Sequence, residues 1–186
     1  RDSSTSRGLG DVYKRQAAKG KTYEASDCVT LLDSTSVSVQ PTGQGSFVVC
    51  KVIKVQTPRG AVDNRVIKYD YDPLTAYAEF KRVTIHRANG KVDELDVRKT
   101  CDYAAPARAI YWGARQIMIE GGALQPGDIV DYEIAKKGFT YALLAAGNED
   151  ESRFIPPMRG QFYDIVPFWS STPTAVSYTH LTLPTI

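Results

Sequence analysis

Residues 47–55 read FVVCKVIKV, a run that is apolar on both sides apart from Lys51 and Lys54. A run of this length, rich in β-branched side chains, is typical of a central strand that is covered on both faces. Around it lie segments in which apolar and polar residues alternate with a period of two, such as residues 35–40, 67–71 and 130–134. This alternation predicts half-buried strands.

Turn signals separate these runs. Asn89-Gly90 lies between two short apolar segments and predicts a β-hairpin. Proline or glycine also marks residues 42–45, 58–60, 72–73, 121–122 and 125–128. The best helical window, Tyr103 to Tyr111, is short and contains Pro106. We therefore predict an all-β fold, an antiparallel β-sandwich or a strongly curved sheet with at most one or two short helices.

Composition narrows the classes of function. The chain has 186 residues, of which 42% are hydrophobic and 24% charged, as in a globular domain. Its apolar runs are much shorter than the ~20 residues that cross a bilayer, so we predict no membrane span. The formal charge of +2 is carried by residues 1–16, and the neutral remainder gives no reason to expect a nucleic-acid partner.

Both ends of the chain differ from the rest. Residues 10–16 and 176–186 resemble flanks that recur on unrelated reading frames, where library adapter sequence in assembled environmental DNA has been translated. We predict that residues 1–16 and 176–186 are foreign, disordered flanks, and that residues 17–175 form a single β-rich domain. We also note that no apolar signal-peptide stretch occurs near Arg1.

The cysteines and histidines give little support for catalysis. Cys28 and Cys50 lie inside apolar runs and are expected to be small buried hydrophobes, whereas Cys101 is predicted to lie in a loop. His86 is the one histidine outside the C-terminal flank, and alternation puts it on the polar, solvated face of a strand. We therefore predict no catalytic residues; an enzyme that uses Cys101 is the remaining alternative.

Acidic residues do not indicate a metal site. Asp93, Glu94 and Asp96 form one group, and Asp70 and Asp72 another. A calcium loop needs several oxygen ligands that converge around a sharp turn, and neither group has that pattern. No zinc motif occurs among the cysteines either. We expect solvated strand faces, no metal and no cofactor.

The segment Arg153–Trp169 is the densest in aromatic residues and proline. Together with Tyr111 and Trp112, it could form an aromatic platform for a glycan or an extended peptide, because flat rings provide contact area at low entropy cost. The alternative is that these rings belong to the core and that the prolines stiffen an edge. The candidate platform residues are Trp112, Phe162, Tyr163, Phe168 and Trp169.

Several segments, in order, resemble a known family. They are LLD at 31–33, YDYDP at 69–73, YAAPAR at 103–108, YWGARQ at 111–116, LQPGD at 124–128, KGFTYALL at 137–144 and IPPMRG at 155–160. Residues 23–173 resemble the bacterial domain of unknown function 3857. That family precedes a transglutaminase-like domain in larger secreted or envelope-associated proteins.

The resemblance implies a non-catalytic N-terminal accessory module, whose partner is the transglutaminase-like domain downstream in the parent chain. The Cys-His-Asp machinery would lie in that domain, and the parent protein would be periplasmic or extracellular, at the cell envelope. We expect the chain to end before the family domain does, which would leave an unpaired sheet edge and an aggregation hazard. The alternative function is a glycan- or peptide-binding β-sandwich module that uses the aromatic platform.

Overall fold

A computed structural model of the chain describes residues 26–105, 113–139, 166, 168 and 171–183. The elements in chain order are β1 (Cys28–Val39), β2 (Gln44–Val55), α1 (Pro58–Asp63), β3 (Val66–Tyr71), β4 (Ala76–His86), β5 (Val92–Glu94), a 3₁₀ turn (Val97–Lys99), β6 (Cys101–Ala104), β7 (Arg115–Glu120), β8 (Ile129–Phe139) and β9 (Ser177–Thr182).

The strands form two sheets. The larger has six strands in the order β5-β4-β8-β2-β1-β9, and the smaller has three in the order β3-β7-β6. Every pair is antiparallel except β1 with β9, which is parallel. The all-β prediction is confirmed, and β2, which contains the run at residues 47–55, lies inside the larger sheet as expected.

The main core lies between the two sheets. Alternate residues of β8, namely Val130, Tyr132 and Ile134, point into it and are buried. We call this side of the six-stranded sheet its inner face and the opposite side its outer face. The Tyr132 ring meets Phe80 edge-on at a centroid distance of 6.2 Å. Burial in these apolar surroundings raises the pKa of the Tyr132 phenol. The smaller sheet contributes Ile67, Ile117 and Ile119 to the same core.

Two turn predictions have different outcomes. The Asn89-Gly90 hairpin is confirmed: it joins β4 to β5, and Gly90 has a φ of 87°. Residues 58–60, predicted as a turn, instead begin helix α1. Thr57 caps this helix because its hydroxyl accepts a hydrogen bond from the Gly60 amide at 3.1 Å. Threonine followed by proline is a signal for the start of a helix, and the prediction of a turn at residues 58–60 did not take it into account.

Strand β9 falls in the segment that is predicted to be a foreign flank. In the structure, residues 177–182 pair with residues 33–38 of β1. The segment alternates β-branched or aromatic residues with polar ones, a pattern that suits an edge strand. The β1 edge is therefore paired in this chain; the foreign origin of the segment remains a prediction.

No helix within the described residues is long and apolar enough to span a membrane.

Candidate functional site

A polar cluster on the outer face of the six-stranded sheet is the strongest candidate site. It is centred on Asp131 of β8, whose side chain is only 6% exposed. The neighbouring strand β4 supplies Arg82, Thr84 and His86, which share this face because they alternate along the strand. A register shift between Phe80 and Arg82 puts Arg82 on the outer face.

Ion pairing explains how the Asp131 carboxylate is buried. Arg82 donates from Nη2 to Oδ1 of Asp131 at 2.9 Å and from Nη1 to the Thr84 hydroxyl at 3.3 Å. The hydrogen bond to Asp131 raises the pKa of the Arg82 guanidinium, with burial opposing the shift. Because a buried carboxylate is costly without a cation, Arg82 is the residue that makes this site possible.

His86 lies beside the same carboxylate. Its Nε2 is 3.7 Å from Oδ2 of Asp131, a distance too long for a hydrogen bond but short enough for attraction when the ring is protonated. The side chain is on the outer face, as alternation predicted, but it is only 26% exposed. The imidazole is therefore half-buried, whereas the sequence predicted a solvated histidine.

Cys50 shares the outer face with His86 but does not lie within reach of it. Cys50 is on the same face and pairs with Glu133, whereas His86 pairs with Ile129. Four residues along β8 correspond to about 13 Å, and β2 and β4 are two strand spacings, about 10 Å, apart. Nucleophilic catalysis needs the thiol and the base within hydrogen-bond reach, so these two residues do not form such a pair.

Cys28 and Cys101 lie apart from the cluster around Asp131. Cys28 is buried, as predicted, and accepts a hydrogen bond from Nδ2 of Asn64 at 3.0 Å. Burial raises the pKa of its thiol, although a backbone hydrogen bond from Gln56 acts in the opposite direction. Cys50 is half-buried rather than buried.

Cys101 begins strand β6 and does not lie in the loop that was predicted. It is exposed and pairs with Met118 in the three-stranded sheet. Because Ile117 and Ile119 point into the core, the alternate position Met118, and Cys101 with it, face solvent on the far side of that sheet. His86 faces outward from the other sheet, so Cys101 and His86 lie on opposite surfaces of the sandwich.

A second polar cluster, centred on Asp128, stabilises the fold. Asp128, 2% exposed, accepts hydrogen bonds from the amides of Ala88 and Gln125 and from Nη1 of Arg87, at 2.9–3.0 Å. Burial acts to raise the pKa of the Asp128 carboxyl, but these three donors outweigh it and the pKa is lowered. Asp128 thus connects the loop that precedes β8 to the β4–β5 hairpin.

The acidic residues considered for metal binding are engaged in local contacts. Asp93 is paired with Arg87 at 2.7 Å and with Lys91 at 2.9 Å, and is only a quarter exposed. Asp96 caps the 3₁₀ turn through the Arg98 amide. Asp70 accepts a hydrogen bond from Gln116 at 2.7 Å. Over the part of the chain that the structure describes, His, Cys, Asp and Glu form no group that could hold a metal ion.

One residue of the predicted aromatic platform is described. Phe168 is 65% exposed, which is compatible with a role in binding but does not by itself make a platform. Trp112, Phe162, Tyr163 and Trp169 lie outside the described residues.

The cluster around Asp131 was not predicted from the sequence, since its members come from two strands that are distant along the chain. Arg82, Thr84 and His86 at alternating positions were the available signal.

A family model described as "Domain of Unknown Function with solved-structure structure (DUF3857)" matches residues 41–185. The match begins after β1 and continues through β9, so it starts later and ends later than the resemblance noted in the sequence. No curated protein matches the chain.

Two solved structures are among those that match the chain. A putative protease from Parabacteroides distasonis superposes with a TM-score of 0.51 at 8% identity, over 60% of this chain and 23% of that protein. The chain therefore spans about a quarter of the length of that protein. A CBM3a-L domain from a scaffoldin of the Clostridium thermocellum cellulosome gives a TM-score of 0.37 at 12% identity, over 61% of this chain and 69% of that one. At such identities the likeness to the protease concerns the fold alone.

Proposed function

Because this chain belongs to the DUF3857 family of domains of unknown function, we propose that it is a non-catalytic accessory module of a larger bacterial envelope protein. In this proposal the module packs beside a transglutaminase-like cysteine domain that follows it in the parent chain. It shapes the substrate cleft of that domain or holds it at the envelope, in the periplasm or outside the cell.

The observation that carries the proposal is the separation of the chemically active residues. His86 faces outward from one sheet and Cys101 faces outward from the other, whereas Cys28 is buried beside helix α1. Among the described charged residues, Asp128 and Asp131 have buried side chains. Each forms an ion pair with an arginine, and these pairs stabilise the fold. Such a domain is well suited to support another domain, since its polar networks stiffen the sandwich.

The fold comparison supports the modular part of the proposal. The similarity to the Parabacteroides distasonis protein extends over less than a quarter of its length, and that protein is described as a putative protease. A domain of this fold can therefore be one part of a longer chain. The transglutaminase-like nature of the neighbouring domain rests on the family resemblance.

A deletion experiment tests the proposal. The parent gene is first read through both ends in one long read, and the full protein is then compared with a version that lacks this module. We expect the deletion to lower the melting temperature of the catalytic domain or to change its substrate range. An unchanged melting temperature together with an unchanged substrate range would refute the accessory role.

The exposure of Phe168 favours a second candidate function, the binding of a glycan or an extended peptide. Exposed rings on a β-sandwich bind sugars by stacking and peptides by contact area. Titration of tryptophan fluorescence with soluble oligosaccharides and with proline-rich peptides tests this function. Saturable quenching that is lost in Phe168→Ala supports it, and an unchanged spectrum at millimolar ligand counts against it.

A further inference from the structure

Strand β6 is an edge of the three-stranded sheet. Within the described residues β7 is the one strand that pairs with it, and all four residues of β6 are exposed. The backbone groups on the open side of an edge strand can pair with a strand of another chain. Proteins commonly protect such edges with lysine, proline or a bulge. The sequence CDYA of β6, which pairs with β7 in regular register, has none of these.

The register shows which backbone groups of β6 face outward. The Ala105 amide donates to the Ala114 carbonyl at 2.9 Å, so Tyr103, two residues earlier, also exchanges hydrogen bonds with β7. The amides and carbonyls of the alternate residues, Asp102 and Ala104, therefore point away from β7. These are the groups that an additional strand would use.

Arg115 of β7 contacts one of these outward groups. Its Nη2 donates to the main-chain carbonyl of Asp102 at 2.9 Å, and its Nε donates to Oδ1 of the same residue at 3.0 Å. The Tyr71 hydroxyl donates to Oδ2 of Asp102 at 2.7 Å, so each strand of the sheet contributes one residue. The guanidinium is therefore held by two hydrogen bonds against an oxygen at the open edge.

Fold stability does not explain this contact. The side chains of Arg115 and Asp102 are 41% and 38% exposed, and an ion pair as exposed as this contributes little to folding. The contact does oppose the addition of a strand. An incoming amide would meet an oxygen that already accepts from a cationic donor, and the new strand would bury that cation.

The two edges of the three-stranded sheet differ in the side chains that they expose. On the solvent-facing side β3 carries Lys68 and Asp70, whereas β6 carries Cys101 and Tyr103, whose side chain is 57% exposed. Charged side chains disfavour strand addition, and an exposed aromatic ring favours it. The β6 edge is therefore the one that depends on a residue of its neighbouring strand.

We propose that Arg115 protects the β6 edge: its contact with Asp102 prevents the backbone of β6 from pairing with β6 of a second copy of this chain. Asp102 and Tyr71 hold the guanidinium in the protecting position. The inference stands independently of the accessory role, because it concerns an edge of this domain and not its neighbours in a parent protein.

The double variant Arg115→Met/Asp102→Asn tests the proposal, because it removes the contact without a change in net charge. Arg98→Met/Asp96→Asn is the matched control, since this exposed pair also joins an arginine Nε to an aspartate, at 2.8 Å. Sedimentation velocity over a concentration series measures association. We expect the first variant to dimerise with a dissociation constant at least tenfold lower than that of the wild type or the control. Equal association of the three chains would overturn the proposal.

A further substitution locates the interface. Ala104→Pro removes an amide hydrogen that points away from β7, so the pairing of β6 with β7 is kept while a donor to an incoming strand is lost. Added to Arg115→Met/Asp102→Asn, it should restore the weak association of the wild type. In the dimer without Ala104→Pro, hydrogen exchange at residues 102 and 104 should slow at least tenfold. Dimers that persist with Ala104→Pro, or that leave these two amides unprotected, would place the interface elsewhere and refute the proposal.

Thermal unfolding distinguishes protection of the edge from stabilisation of the fold. Measured by circular dichroism at a dilution where each chain is monomeric, Arg115→Met/Asp102→Asn should melt close to the Arg98→Met/Asp96→Asn control. A much lower melting temperature for the first variant would assign the Arg115 contact to folding and would also overturn the proposal.

Discussion

Nη1 of Arg87 lies 3.0 Å from Oδ2 of Asp128, and this ion pair connects the β4–β5 hairpin to the loop that precedes β8. The same guanidinium reaches Asp93 of β5 through Nε and the carbonyl of Ala123 through Nη1, both at 2.7 Å. One arginine therefore connects three segments of chain at one end of the six-stranded sheet. The hairpin that the Asn89-Gly90 pair creates is held in position by a residue about forty positions further along.

Asp128→Asn should destabilise the protein by about 1–3 kcal/mol at pH 7, because a charged acceptor for two buried amides and an arginine is replaced by a neutral one. Chemical denaturation measures this. Since the pKa of Asp128 is lowered in the folded state, its contribution is present above the unfolded pKa of about 4 and is lost as pH falls further. The stability difference between variant and wild type should therefore shrink below about pH 4. Glu94→Gln, at an exposed position of β5, is the control.

Arg82→Met should destabilise the fold by about 2 kcal/mol, because it leaves the buried Asp131 carboxylate without its hydrogen-bonded cation. The methionine retains much of the aliphatic stem, so the loss reports the charge and not the packing. Arg98→Met is the comparison, since Arg98 pairs with Asp96 while 88% exposed, and we expect no measurable change there. Equal effects of the two substitutions would show that Arg82 does not stabilise Asp131.

Gly60→Ala should be among the most damaging small substitutions in the chain. A Cβ at Gly60 would lie 2.2 Å from the Asp27 carbonyl oxygen and 2.6 Å from Sγ of Cys28, so helix α1 would have to move away from β1. Gly90→Ala is the counterpart: its φ of 87° disfavours alanine, but nothing lies within 4 Å of the new Cβ. We expect a larger fall in melting temperature for Gly60→Ala. A larger fall for Gly90→Ala would mean that α1 shifts at little cost.

The cysteines should label in the order of their exposure. Iodoacetamide at pH 8 should modify Cys101 first, whereas Cys28, whose thiol is buried and has a raised pKa, should react only through unfolding. At pH 6 we expect Cys101 to react no faster than a reference thiol, because the described structure puts His86 on the opposite surface. Peptide mass spectrometry over time measures all three rates. Rapid stoichiometric labelling of Cys101 at pH 6 would instead favour a cysteine enzyme.

Local patterns were sufficient for the fold class. Alternation at residues 130–134 indicated which side chains of β8 enter the core, and the β-branched run from Phe47 to Val55 indicated an interior strand. The Asn89-Gly90 hairpin followed from turn chemistry alone, because the left-handed conformation at Gly90 is costly for other residues. These features depend on neighbours within a few positions, which is why a linear reading captures them.

Pairing between distant segments was decided by the tertiary structure. Arg82 and Asp131 are 49 residues apart and meet because β4 and β8 are adjacent. The separation of Cys101 from His86 depends on which sheet each strand joins, and the parallel place of β9 depends on the free edge of β1. Sequence periodicity determines which face of a strand is buried, but not which strand lies beside it. That neighbour is selected by the packing of the whole chain, because buried charges and backbone groups need partners from distant segments.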